Sequence, residues 1–195
     1  MPAYYIAQVE VIDCPWMHGA SSMDAEGDRF VIGAPSYSAT HSKLICFRYG
    51  GDPELPWVQT SHIHRSDVSG DGMLGYAVDI DGDWMVASLS SADIVGEATD
   101  MPVRLAVFKW DGSSSRWEHT NTEHIINLGV VGGWAVAVRS NDDGTATAAT
   151  SIHKMGSGAV FIHLLSSEGA QSELADVVYA PTLGAELMAG ADAFG

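Results

Sequence analysis

The chain has 195 residues, 46% hydrophobic and only 17% charged, which excludes a disordered segment or a coiled coil and allows one domain with a real core. Nine basic residues stand against twenty-five acidic ones, a formal net charge of −16. A surface that acidic repels phosphate backbones and anionic membranes, so nucleic acid is disfavoured as a partner, and no apolar run is long enough for a membrane span.

In chain order, the start MPAYYIAQVEVID lacks the basic opening and long apolar centre of a signal peptide. Within it Tyr5 to Ile12 alternates like a strand with no preceding partner. Ser22 to Glu26 and Arg29 to Ala34 flank a turn at Gly27-Asp28 and predict a hairpin, since Gly supplies the positive φ that a two-residue turn needs. A polar loop, Ser36 to Ser42, leads to strands at Lys43 to Tyr49 and Trp57 to His62, separated by the turn in Gly50 to Pro56. The second unit repeats this plan at 75–80, 84–89, 103–110 and 117–125, turning at Asp81-Gly82-Asp83 and Asp111-Gly112. Its run Trp84-Met85-Val86-Ala87 is nearly continuous in apolar residues, as in a strand covered on both faces. A third unit follows at 133–138, 145–150, 158–164 and, most faintly, 173–180.

Four antiparallel strands per unit and three units with short polar connections are the pattern of propeller blades. Gly75 and Gly133 stand 58 residues apart, and Ala20 lies 55 residues before Gly75. The expected fold is therefore all-β, with blades at about 20–65, 74–126 and 132–180 in an incomplete propeller. Residues 1–13 read as a strand completing another blade, and 183–195, ending in Phe194-Gly195, as the start of a further repeat. Such an array is not expected to close a ring by itself, and self-association or the remainder of a longer chain would complete it. The expected core comprises Val78, Trp84, Val86, Leu105, Val107, Ile32, Leu44, Cys46, Val136 and Val160.

The units also carry motifs. The second opens with Leu74-Gly75, then Tyr76-Ala77-Val78 and the turn Asp81-Gly82-Asp83; the first holds Gly33-Ala34-Pro35, where the second has Ala87-Ser88-Leu89. Third strands end in Phe47-Arg48-Tyr49, Phe108-Lys109-Trp110 and, weakly, Phe161-Ile162-His163; fourth strands carry Trp57 and Trp117. The polar lead-in Ser66 to Gly72 precedes the second unit. Over roughly residues 20 to 165 this order resembles the FG-GAP repeat, the blade of integrin α-chain propellers and of many bacterial and algal surface proteins. The resemblance implies a non-enzymatic adhesion or structural module, placed outside the cell or on a cell or particle surface, with a protein or glycan as ligand.

Candidate chemistry is sparse. Asp67-Val68-Ser69-Gly70-Asp71-Gly72 has the look of a calcium loop, but the third position is Ser, and the ninth, Gly75, lacks the carboxylate such loops usually need. The family resemblance puts calcium instead in the turn between the first two strands, and here those turns are short: Glu26-Gly27-Asp28, Asp81-Gly82-Asp83 and Asn141-Asp142-Asp143-Gly144. Plain hairpin turns are expected, with no cofactor. His62 and His64 would share one strand face and lack a third metal ligand; His119 and His124, with Glu118 and Glu123, read as outer-blade surface. Cys46 reads as a buried small hydrophobe, with a Cys14–Cys46 bridge left open in an oxidising compartment. Trp84 and Trp134 read as core, and Trp57 and Trp117 as packing between blades. No nucleophile elbow, His-Glu-x-x-His or phosphate-binding glycine loop occurs, so no catalytic or metal residue is assigned. Two rivals stand beside the adhesion reading: a propeller-based polysaccharide lyase or hydrolase, and a structural subunit of a larger particle or filament.

Overall fold

Gly27 and Gly82 each take a φ of 59° at the first position of a two-residue turn, the positive value that type II′ hairpin turns reserve for Gly. The two turns seed equivalent hairpins in a fold that a computed structural model describes over residues 22–36, 41–51, 56–68, 72–90, 103–126, 131–154, 157–167 and 172–179. The first sheet contains β1 (Ser22–Glu26), β2 (Arg29–Ala34), β3 (Lys43–Tyr49) and β4 (Trp57–His64). The second contains β5 (Met73–Asp81), β6 (Trp84–Ser90), β7 (Val103–Asp111) and β8 (Arg116–Ile126). The third contains β9 (Val131–Ser140), β10 (Ala146–Lys154), β11 (Ser157–Leu165) and β12 (Ser172–Tyr179). Each sheet is antiparallel with its strands in chain order. The protein is all-β, in three blade-like sheets, none closed into a barrel. The expected strands that fall on described residues are present, most of them extended by one or two residues, and a 3-10 turn (Arg65–Asp67) follows β4.

The sheets stack face to face in chain order. The first strands β1, β5 and β9 lie side by side at one edge of the stack, while β4 and β8 touch only lightly at the other. This splaying is what a propeller wedge requires. Val31, Leu44, Cys46, Val78, Met85 and Phe108 fill the space between the first and second sheets. Trp84, Val86, Leu105, Val107, Val138 and Phe161 fill the space between the second and third. The unbroken apolar run of β6 now has its cause: Met85 and Ala87 face one neighbouring sheet, Trp84 and Val86 the other. A strand polar on alternate residues would put polar groups into one of these cores.

Backbones come closest where Gly33 of β2 meets Gly75 of β5. A Cβ on Gly33 would stand 2.1 Å from the Gly75 carbonyl oxygen, and Gly75 itself takes a φ of 87°. The Ser42 hydroxyl accepts the Leu74 N–H at 2.6 Å and donates to the Leu74 carbonyl at 2.9 Å, fixing the start of β5 against the first sheet. Ser22 donates to the Gly75 carbonyl at 3.1 Å. In the second sheet Ser88 stands where Gly33 does, and its buried hydroxyl accepts the Ala77 N–H at 2.9 Å.

Several expectations need correction. Seven of the ten expected core residues are buried, but Ile32, Val136 and Val160 are only half-buried. By strand alternation, Ile32 and Val160 point away from the second sheet, and Val136 lies on a first strand at the thin edge of the stack. Trp117 does pack between blades, whereas Trp57 stacks edge-on against Phe30 (4.8 Å) and Tyr49 (5.6 Å) on the far face of the first sheet. His163, not Phe161, holds the place of Phe47 and Phe108, since Val138, Ala148 and His163 pair as do Ile80, Met85 and Phe108. The longer turn Asn141–Thr145 hides this register in the sequence. The strand expected at Tyr5 to Ile12, Cys14, residues 183–195 and the side chains of Glu123, His124 and Trp134 lie outside the described residues.

Two substitutions test this packing. Val86→Asp puts an unpaired charge between the second and third sheets, where Val86 has no exposed surface; a loss of about 3 kcal/mol or more, read as loss of a cooperative thermal melt, is expected. Gly33→Ala forces the two sheets apart at backbone contact and is expected to lower the denaturant midpoint, by about 2 kcal/mol or more in stability.

Candidate functional site

The first strand of each sheet is an edge, so every second N–H along it points out of the ladder with no strand to receive it. Side chains of the preceding sheet supply the acceptors. Asp24 and Glu26 alternate on the face of β1 turned to the second sheet. Asp24 accepts the Ile80 N–H at 2.7 Å and Glu26 accepts the Gly82 N–H. One blade further on, Asp79 accepts the Val138 N–H at 2.6 Å, and Asp81 accepts the Ser140 N–H at 2.6 Å and the Ser140 hydroxyl at 3.1 Å. Two carboxylates two residues apart thus reach two amides two residues apart, twice over. Arg139 adds an ion pair to Asp81 at 3.7 Å.

These carboxylates crowd one another along the edge. Burial, above all, pushes the Asp79 carboxyl up to about 6, with Asp24 and Asp81 adding negative charge nearby, while the Val138 N–H works in the opposite sense. Hydrogen bonds to charged acceptors are worth about 1.5–3 kcal/mol each, a gain that at Asp79 is set against the cost of burying its charge.

A second cluster joins the first two sheets near the turns. The Arg29 guanidinium lies 5.0 Å from the Trp110 ring centre and 5.3 Å from that of Trp117, and pairs with Asp83 at 3.3 Å. Arg48 lies 5.9 Å from Trp110 and binds Asp28 at 2.7 Å; that bond is the main cause holding the Asp28 carboxyl below its ordinary range. At the next interface Lys109, pairing with Trp84 as Arg48 does with Arg29, lies 4.2 Å from the Trp84 ring and donates to the Ser167 carbonyl.

The residues singled out in the sequence scatter over the structure. Asp67 spends its carboxylate on the His64 N–H at 2.8 Å, closing the 3-10 turn. His62 and His64 do share a face of β4, with ring centres 6.1 Å apart, opposite Lys43 and Ile45. His119 bonds Thr122 at 2.8 Å and packs on Phe108, and burial lowers its pKa. Cys46 is a free buried thiol, raised by burial to about 12. Among the described residues, no three His, Cys, Asp or Glu side chains are grouped to hold a metal ion, and no helix is long and apolar enough to cross a membrane. The clamp carboxylates went unassigned in the sequence, although Asp24/Glu26 and Asp79/Asp81 repeat at 55 residues on equivalent strands. No protein-family model matches the chain, and no curated protein matches it.

Asp79 gives a pH test with a definite sign. A carboxyl whose folded pKa is above its unfolded value binds more protons when folded, so its contribution to stability grows as pH falls through about 6 and is lost above it. Asp79→Asn keeps an oxygen for the Val138 N–H and removes the charge. It is expected to raise the melting temperature at pH 7.5 by roughly 2–4 °C and to flatten the rise that the native chain shows between pH ~7 and ~5. His62 and His119, whose pKa values burial lowers, act in the opposite sense but equally in both proteins. Parallel melting-temperature profiles would show that Asp79 does not carry this effect.

Proposed function

We propose that the chain is a non-enzymatic binding or structural module of FG-GAP-like blades that presents its connecting loops to a protein or glycan on a cell or particle surface. The observation that supports this best is the contact of Gly33 with Gly75. The Gly-Ala-Pro of one repeat and the Leu-Gly that opens the next are the short motifs behind the resemblance, and they lie against each other across a blade interface. Motifs recurring in this order have a packing reason to do so.

Strand direction also supports a loop-presenting role. The turns joining β1 to β2 and β3 to β4, with their counterparts, leave one end of the stack and span two to seven residues. The connections 35–42 and 91–102, of eight and twelve residues, leave the opposite end with the links between sheets, while their third-sheet counterpart 155–156 has only two. Longer loops on a rigid scaffold are where binding residues concentrate. The lyase rival calls for His, Tyr and Arg clustered on the inner strands, but β1, β5 and β9 carry Tyr76 and Arg139 and no histidine. No cofactor enters the proposal. Chelation is expected to move the melting temperature by less than about 1 °C, since only a ligand of the folded state adds to stability. A large drop restored by calcium would direct attention to Asp79, Asp81 and Asp83.

The direct test is to measure binding of the purified chain to immobilised glycans and surface proteins, with and without connection 91–100 replaced by a short Gly-Ser turn. The replacement should abolish binding and leave the circular dichroism unchanged. Turnover of an acidic polysaccharide would favour the enzyme, and ordered particles in electron micrographs the structural subunit.

A further inference from the structure

The two clamps define a rule that, among the described residues, the outer ends of the stack do not satisfy. By position, Met23 and Ala25 of β1 correspond to Val78 and Ile80 of β5 and to Val136 and Val138 of β9. Val78 and Ile80 are 8% and 5% exposed beneath the preceding sheet, whereas Met23 is 68% exposed and Ala25 lies open beside it. The N–H groups of Ile80 and Gly82 are held by Asp24 and Glu26. In β1 the same places belong to Ala25 and Gly27, both exposed, with no described carboxylate against them.

We infer that the edge of β1, uncovered among the described residues, is a docking surface for an extended strand bearing two acidic side chains at alternate positions, supplied by a partner rather than by a second copy of this chain. The two internal interfaces show the required chemistry: the carboxylates bind the Ala25 and Gly27 amides, and the partner strand covers Met23. The described strands of a second copy cannot supply them. Among the described strands, alternate acidic pairs occur only in β1 and β5, and both are already committed to the following sheet. At the other end of the stack the equivalent places hold Ala137 and Arg139, which cannot accept an N–H. Arg139 is 84% exposed there. The clamp therefore runs in one direction and ends at the third sheet, so head-to-tail joining of two copies would leave both amides without acceptors. The inference rests on the fold and does not depend on the adhesion reading.

Amide exchange and peptide titration test it. In the isolated chain the amides of Ala25 and Gly27 should exchange fast, and those of Ile80, Gly82, Val138 and Ser140 slowly. A backbone-cyclised hairpin of residues 22–33, whose ends pair in the sheet, serves as an acidic probe. Added unlabelled to isotope-labelled chain, it should shift the Ala25 and Gly27 amide resonances in a saturable way. The Asp24→Ala/Glu26→Ala hairpin should bind at least about tenfold more weakly, as expected for two lost charge-assisted bonds. Protection of Ala25 and Gly27 in the chain alone, equal binding of both hairpins, or no shift with either would overturn the inference. Shifts at these two amides that depend on protein concentration alone would assign the edge to a second copy and equally overturn it.

Discussion

Everything in this molecule depends on how the first strand of each sheet satisfies an edge. An unpaired N–H that cannot reach water costs free energy comparable to a lost hydrogen bond. Stacking sheets with their first strands side by side removes much of that water. Asp24, Glu26, Asp79 and Asp81 solve the problem locally, each reaching one amide of the next sheet. Because the carboxylates sit at alternate positions, they fix the offset of neighbouring sheets along the strand direction. A slip of one residue would carry the carboxylates off the outward-pointing amides, which recur only at every second residue.

The price of that solution is crowded negative charge in a chain already at −16. At Asp79, burial first of all, with the charges of Asp24 and Asp81 beside it, raises the proton affinity. The aromatic cluster around Arg29 has the opposite character. There a cation is held between two indole rings and a carboxylate, and it joins the first two sheets without adding to the acidic excess.

Much of the fold was legible because the local signals agree with one another. Gly-Asp turns and the doubly apolar run of β6 each specify one outcome, and the sheets form in chain order from neighbouring hairpins. The third unit was harder to place. Its turn is longer and Gly144, with a φ of 81°, comes late in it, so the phase of β10 and β11 relative to the other sheets could not be counted from the turn. Counting from the turn therefore aligns Phe161 with Phe108, whereas strand pairing aligns His163 with it. The clamps were hidden for another reason: an alternating Asp on a strand reads as a solvated face, and only the neighbouring sheet's amides distinguish it from one. Burial at the outer faces was equally out of reach, since Ile32 and Val86 look alike as sequence and differ only in what lies beyond them.

The free thiol of Cys46 has a use of its own. It lies between the first and second sheets, fully enclosed, with its ionisation pushed up to about 12. An alkylating reagent attacks through the thiolate, so at neutral pH this sulfur is silent while the two sheets remain together. Its labelling rate, followed by mass on the peptide that contains it, is a clock for the parting of those sheets, and it reports that single event even when the third sheet opens independently.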